Sequence, residues 1–128
     1  MKSFVDLLSR VLISIIFLFS GVNKILNYDS TAQWMEGFGV PDFLLIPAII
    51  IEIILPILII VGYQTKIAAT LLSLFCLLTA LIFHNNFLDQ TQLIAFLKNI
   101  SLAGGLMFLS INDTKNWALE KKRKYVRL

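Results

Sequence analysis

The sequence predicts an all-α integral membrane four-helix bundle of up-down-up-down order, with both termini cytoplasmic. Three observations carry that prediction. Hydrophobic residues make up 58% of the 128 residues, with a mean hydropathy of +0.83, whereas soluble domains run nearer about 45–50% apolar. Four apolar runs each approach the roughly 20 residues that cross a bilayer as a helix. Lys and Arg gather on one side of the spans that those runs define, which sets orientation. The length suits one transmembrane domain, taken as residues 1–128.

Span one covers about residues 4–26. Lys2 and Arg10 precede its apolar core, as a secretory signal requires, but the small-residue exit FLFSG puts Phe19 where a cleavage site needs a small side chain. An uncleaved helix is expected. Arg10, Ser14, Phe17, Gly21 and Lys24 recur at alternating helical steps, one stripe predicted to face inward. Arg10 has two readings. It snorkels to the inner phosphates and pairs with Asp6 one turn earlier, or it contributes to a binding site.

The connection 27–42 holds Asp29, Glu36 and Asp42 and no Lys or Arg, so it is placed outside. Trp34 within it is assigned no role. Its end, GFGVPDF, is a turn that Pro41 stiffens and Gly37 and Gly39 loosen. Span two, about 43–61, is a continuous apolar run, unlike a barrel strand, which alternates over about 10 residues. Within it, IIIEIILP places Glu52 among isoleucines and leucines. At about 1.5 Å per residue the acid lies roughly 14 Å deep, near the midplane. Pro56 has no N–H for the carbonyl of Glu52, so that carbonyl is freed and a kink is expected.

The turn 62–66, VGYQTK with Gly62 and Lys66, folds span two back on span three, about 67–83, as an inner hairpin. Cys76 is the only cysteine. It excludes an internal disulfide or a two-thiol redox cycle and reads as a packing residue. His84 and Asn85 stand where span three emerges. His84 could relay protons near neutral pH, or simply be solvated. No second His or carboxylate is spaced as a metal partner, so no metal site is expected.

The outer connection 84–92 contains Asp89 and no Lys or Arg. Span four, about 93–111, carries Lys98 roughly 8 Å deep. Its stripe of Lys98, Ser101, Gly105 and Phe108 is predicted to face inward, with Gly104 and Gly105 admitting a neighbouring backbone. The tail 113–128 sets six Lys/Arg against Asp113 and Glu120, a local +4 in a chain of net +3. That unevenness argues against nucleic-acid binding. It suits an anionic lipid surface or a topology-setting tail, with Trp117 as an interfacial anchor.

Polar groups therefore converge in the outer half: Glu52, Lys98, Lys24, His84 and Asn85, with Asn23 and Asn99 beside the lysines. Intramembrane ionisable groups face a bundle interior. Glu52 is expected to pair with Lys98, the deeper lysine, with Lys24 as the alternative. An acid, a freed carbonyl and a lysine could hold a polar ligand head group. The structural alternative is an ion pair that fixes helix pairing, although desolvation can exceed its attraction.

The ordered set Arg10, FLFSGVNKIL with Gly21 and Lys24, GFGVP, Glu52, GYQTK, FHN at His84, and FLKNISLAGG with Lys98 and Asn99 resembles the DoxX family of small four-helix bacterial membrane proteins. Pro56 departs from the pattern, where many relatives carry glycines after the acid. The resemblance implies the four-helix bundle. It also implies a link to membrane redox complexes, including thiosulfate:quinone oxidoreductase subunits, or to proteins that help oxidative-stress enzymes.

Residues and resemblance together lead to one expected function: a membrane subunit or accessory of a quinone-linked redox complex in the bacterial inner membrane. Quinone is the implied cofactor, though no motif encodes one. Lys98 would polarise a quinone oxygen, and Glu52 or His84 would supply a proton. Lys24, Asn85, Asn99 and Arg10 would bind the ligand. With no haem ligand pair, flavin motif or cysteine cluster in the sequence, electrons must come from a redox protein partner or a soluble donor. The lipid bilayer is the expected surroundings, and a homo-oligomer a further expectation. Two alternatives stand beside this. One is a non-catalytic membrane anchor or assembly partner for a redox or stress-response enzyme. The other is small-solute transport, which lacks a polar lining below Glu52 apart from Arg10.

Overall fold

A computed structural model of the chain describes residues 1–112 and 118–119. Five α-helices follow one another: α1 (Lys2–Leu26), α2 (Tyr28–Glu36), α3 (Leu45–Val61), α4 (Thr65–Phe83) and α5 (Gln90–Ile111). A 3-10 turn, Asp42–Leu44, leads into α3. Four segments are long and apolar enough to cross a membrane: α1, Asp42–Val61, α4 and α5. The C-terminal limits of all four match the sequence expectation, and the N-terminal limits lie one to three residues earlier. The basic tail and Trp117 lie outside the described residues, apart from Ala118 and Leu119.

The helix ends follow local chemistry. Pro47 falls in the first turn of α3, where a backbone N–H has no partner to lose. The helix continues through Pro56 to Val61. Gly62 ends it with φ 72°, the left-handed conformation glycine adopts without a Cβ penalty. The N–H of Tyr63 returns to the carbonyl of Leu58 at 3.0 Å and that of Gly62 to Ile59 at 3.2 Å, a Schellman ending. Gln64 is also left-handed, and the chain reverses straight into α4. Asp89 caps α5 by accepting a hydrogen bond from the N–H of Thr91 at 2.9 Å.

The core joins Phe17, Ile59, Leu72, Cys76 and Leu106 with the small residues Ala68, Ala69 and Ala103. Small residues let membrane helices approach closely where no hydrophobic force drives them together. The Ser73 hydroxyl donates to the carbonyl of Ala103 at 3.2 Å, tying α4 to α5. Helix α1 packs along α3, α4 along α5, and α3 meets α4 less closely. The outward faces are apolar, with Leu12, Ile15 and Phe19 on α1 and Leu71, Leu74 and Leu78 on α4 all about half exposed or more. In hydrocarbon such faces need no cover.

The stripe expected to face inward on α1 does so: Arg10, Ser14, Phe17 and Gly21 are its buried residues. The stripe expected on α5 does not. Lys98, Ser101 and Gly105 are exposed, Phe108 is 69% exposed, and the buried residues are Ala103 and Leu106. Helix α5 is turned so that its apolar and small side meets α4. Gly104 meets nothing within 4 Å, so it admits no neighbour, while Gly105 sits against Ile13.

Candidate functional site

Gly21 sets the geometry of the site. A Cβ there would stand 2.8 Å from Cγ1 of Ile53 and 3.3 Å from Cβ of Glu52. Only a residue without a side chain lets α1 lie this close to α3. One residue before it is Ser20 and one turn after Ser20 is Lys24, so both polar groups are carried to the acid.

Glu52 is buried, and Lys24 meets it. The ammonium of Lys24 donates to Oε1 of Glu52 at 3.0 Å and to Oγ of Ser20 at 2.8 Å, and Ser20 in turn donates to the same Oε1 at 3.4 Å. Oε2 lies 2.9 Å from the ammonium. It is nevertheless a buried oxygen without a hydrogen bond, in ionic contact only. The ammonium of Lys24 stands within 3.0 Å of three oxygens, Oγ of Ser20 and both of Glu52. The pair thus satisfies its charge and leaves Oε2 as an acceptor without a hydrogen bond.

This pair stands in the wall of a cavity of about 450 Å³ enclosed by α1, α2, α3 and α4, with Asn99 and Leu102 of α5 at its edge. Most of the wall is apolar. Glu52, Lys24 and Ser20 share it with Thr31, Thr79 and His84. Cys76 and Phe17 form its floor, where it meets the core. Helix α2 contributes Thr31, Trp34 and Met35 to the wall. Its Trp34 stacks on Phe83 with ring centroids 4.6 Å apart, and Phe38 packs edge-on against both. His84 Nδ1 is 2.9 Å from Oε1 of Gln92, which joins the end of α4 to the start of α5.

Of the residues singled out from the sequence, Glu52, Lys24, His84 and Asn99 line this cavity. Lys98 does not, and the expected Glu52–Lys98 pair is replaced by Glu52–Lys24. The reason is azimuth: Lys98 is at a suitable depth but on the exposed side of α5. Asn85 is exposed past the end of α4 and is also absent from the wall.

Arg10 belongs to the other end of the bundle. Its Nη1 donates to the carbonyls of Ile60 at 2.7 Å and Ile59 at 3.4 Å, and its Nε to Asp6 at 3.1 Å. The pairing with Asp6 was expected. Snorkelling was not found, because Arg10 is fully buried. It closes the C-terminal carbonyls of α3, which a helix leaves without partners, and it takes no part in the cavity. Among the described residues no cluster of His, Cys, Asp and Glu is placed to hold a metal ion.

Ser20, Thr31, Trp34 and Thr79 are cavity residues that sequence reasoning missed. The length of the 27–42 connection was the available signal. Helix–helix connections in bundles run about 2–8 residues, and one twice as long calls for structure of its own.

Comparison with known proteins agrees with this architecture. The family model described as DoxX matches residues 5–85, from α1 to the end of α4, including Lys24, Glu52 and His84. The chain is similar to "Inner membrane protein YqjF" of Escherichia coli (strain K12), 35% identical over 115 residues, covering 90% of this chain and 88% of the relative. It is also similar to "Inner membrane protein YphA" of the same organism, 32% identical over 124 residues, covering 91% and 88%. No solved structure matches the chain. Four membrane-spanning helices and two relatives of the inner membrane make it a multi-pass inner-membrane protein. With the family model matched over most of its length and relatives aligned over nine-tenths of it, the chain belongs to the DoxX family.

Proposed function

We propose that the protein binds the head group of a lipid-soluble quinone in the α1–α4 cavity and serves as a membrane subunit or accessory of a redox complex. The observation that carries this reading is the ion pair of Glu52 and Lys24 in the wall of an otherwise apolar cavity. The cavity fits such a group. Oε2 of Glu52 is a buried acceptor without a hydrogen bond in the cavity wall, and the Lys24 beside it keeps 22% side-chain exposure. Trp34, Phe75 and Phe83 supply flat apolar walls, against which rings pack well.

A quinone, when bound, accepts two electrons and two protons at its carbonyl oxygens. The residues here would orient that ring and hold protons. Lys24 donates a hydrogen bond to an oxygen, Glu52 accepts one from a hydroxyl, and the aromatic roof of α2 excludes water. Electrons would come from a redox protein partner or a soluble donor, since the sequence carries one cysteine and no cofactor motif. In this reading the cavity end faces the periplasm, as the Lys and Arg distribution predicts. Transport is less well supported, because Phe17, Ile59, Leu72 and Leu106 pack the bundle solid beyond the cavity.

The test uses Trp34 as its own reporter. In a Trp117→Phe background, a short-tailed quinone should quench Trp34 fluorescence saturably. Glu52→Gln and Lys24→Met should each weaken binding about tenfold, the order expected when a hydrogen bond to a charged group is lost. Absence of saturable quenching, or binding by both variants as tight as that of the unsubstituted protein, would overturn the proposal.

A further inference from the structure

The cavity has a thin side wall, and it faces the bilayer. Between α3 and α4 runs a second hollow of about 280 Å³, lined entirely by Ile, Leu and Phe side chains. Ile50 and Ile54 on one side and Leu71 and Leu74 on the other are about half exposed. Three residues line both spaces: Ile51, Phe75 and Leu78. They are the partition between the groove and the polar cavity. Ile51 is the sequence neighbour of Glu52, so the partition stands one residue from the acid.

From these positions we infer that the α3–α4 groove seats the hydrocarbon tail of the cavity's ligand, which passes between Ile51, Phe75 and Leu78. This deepens the quinone reading and rests on it. Two features support it. Helices α3 and α4 pack less closely than the α1–α3 and α4–α5 pairs, though more closely than α1 and α5, so the seam that the groove follows is a loose one. Trp34 and Phe83 of the cavity wall are locked together by stacking, whereas the partition towards the groove is only the three apolar side chains Ile51, Phe75 and Leu78. The chemistry is also matched at both ends. Glu52 and Lys24 neutralise one another, which favours an uncharged head with a donor or acceptor over a phosphate. The groove offers an apolar molecule side-chain packing that neighbouring lipid gives less completely, and packing is what drives association in hydrocarbon.

The experiment compares two probes on the full chain in detergent micelles, again reading Trp34 in the Trp117→Phe background. One probe is a benzoquinone with a decyl tail, the other the same ring without a tail. The tailed probe should bind about three- to tenfold more tightly to the unsubstituted protein. Ile54→Phe and Leu74→Phe, which fill the groove, should remove that advantage and leave the tail-less probe unchanged within about twofold. Leu12→Phe adds the same bulk to a lipid-facing site on α1 and should change neither, which controls for folding. A tail that confers no advantage, or groove variants that weaken both probes equally, would overturn the inference while leaving head-group binding intact. If neither probe binds the unsubstituted protein, the quinone reading itself falls and the groove assignment with it.

Discussion

Two cationic side chains of α1 tie it to α3, one towards each end, and they differ in what they leave accessible. At one end Arg10 is fully buried and spends its donors on Asp6 and on the last carbonyls of α3. At the other, Lys24 retains 22% side-chain exposure, and the acid it meets has an oxygen without a hydrogen bond beside a cavity. Both contacts place charge inside a membrane bundle, which is costly. The first is a staple, because its acceptors on α3 are main-chain carbonyls that no side-chain change can remove. The second joins two side chains, and a bundle of this shape could close over two apolar residues instead. The presence of a cavity, more than burial, separates the proposed binding site from the clamp.

The largest effect should follow from removing the staple. Arg10→Ala removes the donor that meets Asp6 and the carbonyls of Ile59 and Ile60. Breaking one partner of a buried charged contact costs about 3–5 kcal/mol. Thermal unfolding in detergent should show it, with the folded fraction still binding quinone at the original affinity. A variant as stable as the parent would mean that the α3 terminus needs no clamp. Gly62 lies against the same guanidinium, and a Cβ there would also press on Ala118, so the region has no room for compensating shifts.

The cavity pair should behave differently, and a paired exchange shows it. Glu52→Gln alone leaves Lys24 facing a neutral amide and should destabilise by about 1.5–3 kcal/mol, the range for a hydrogen bond to a charged group. Glu52→Leu combined with Lys24→Met removes both charges. Apolar replacement of a whole buried pair is often neutral or stabilising by about 1–4 kcal/mol. The double variant should therefore recover the stability lost by the single one while binding no quinone. If recovery of stability came with recovery of binding, the pair would have no role in recognition.

A smaller effect is expected from the spacing of the two helices. Gly21→Ala puts a methyl group 2.8 Å from Cγ1 of Ile53, and overpacking of that kind costs about 1–3 kcal/mol. Because the displaced backbone carries Ser20 and Lys24, quinone affinity should fall along with the midpoint of thermal unfolding. Loss of stability without loss of affinity would separate helix packing from the positioning of Lys24.

The fold was legible because its signals are long and repeated: four apolar runs, and turn chemistry at Gly62. The inward face of α1 was legible because charge marks it, Arg10 and Lys24 being residues that cannot face lipid at depth without cost. Helix α5 offered no such constraint. Its Gln92, Lys98, Asn99, Ser101 and Ser110 are spread around the axis, and apolar residues suit lipid as well as core. A stripe drawn through Lys98 therefore looked as good as the true one through Ala103 and Leu106. The pairing of Glu52 was chosen by depth, which counts residues along one helix. What decided it was the close approach of α1 to α3 at Gly21, a relation between helices that no single stretch of sequence states. Helix α2 was missed for a different reason, since YDSTAQWME is too short and polar to register as a span, yet it supplies the aromatic roof.

The smallest expected effect is the one that separates these two lysines. Lys24 and Lys98 both lie in the half of the bundle that holds the cavity, and by sequence alone Lys98 was the better partner for Glu52. In the folded chain Lys98 is exposed on α5 and absent from the cavity wall. Lys98→Met should therefore leave quinone affinity within about twofold, against the tenfold loss expected for Lys24→Met. Trp34 quenching by the same titrant measures both. A loss for Lys98→Met equal to that for Lys24→Met would require α5 to turn Lys98 towards Glu52 when the ligand binds. The α1–α3 contact would then be one half of a site that α5 completes.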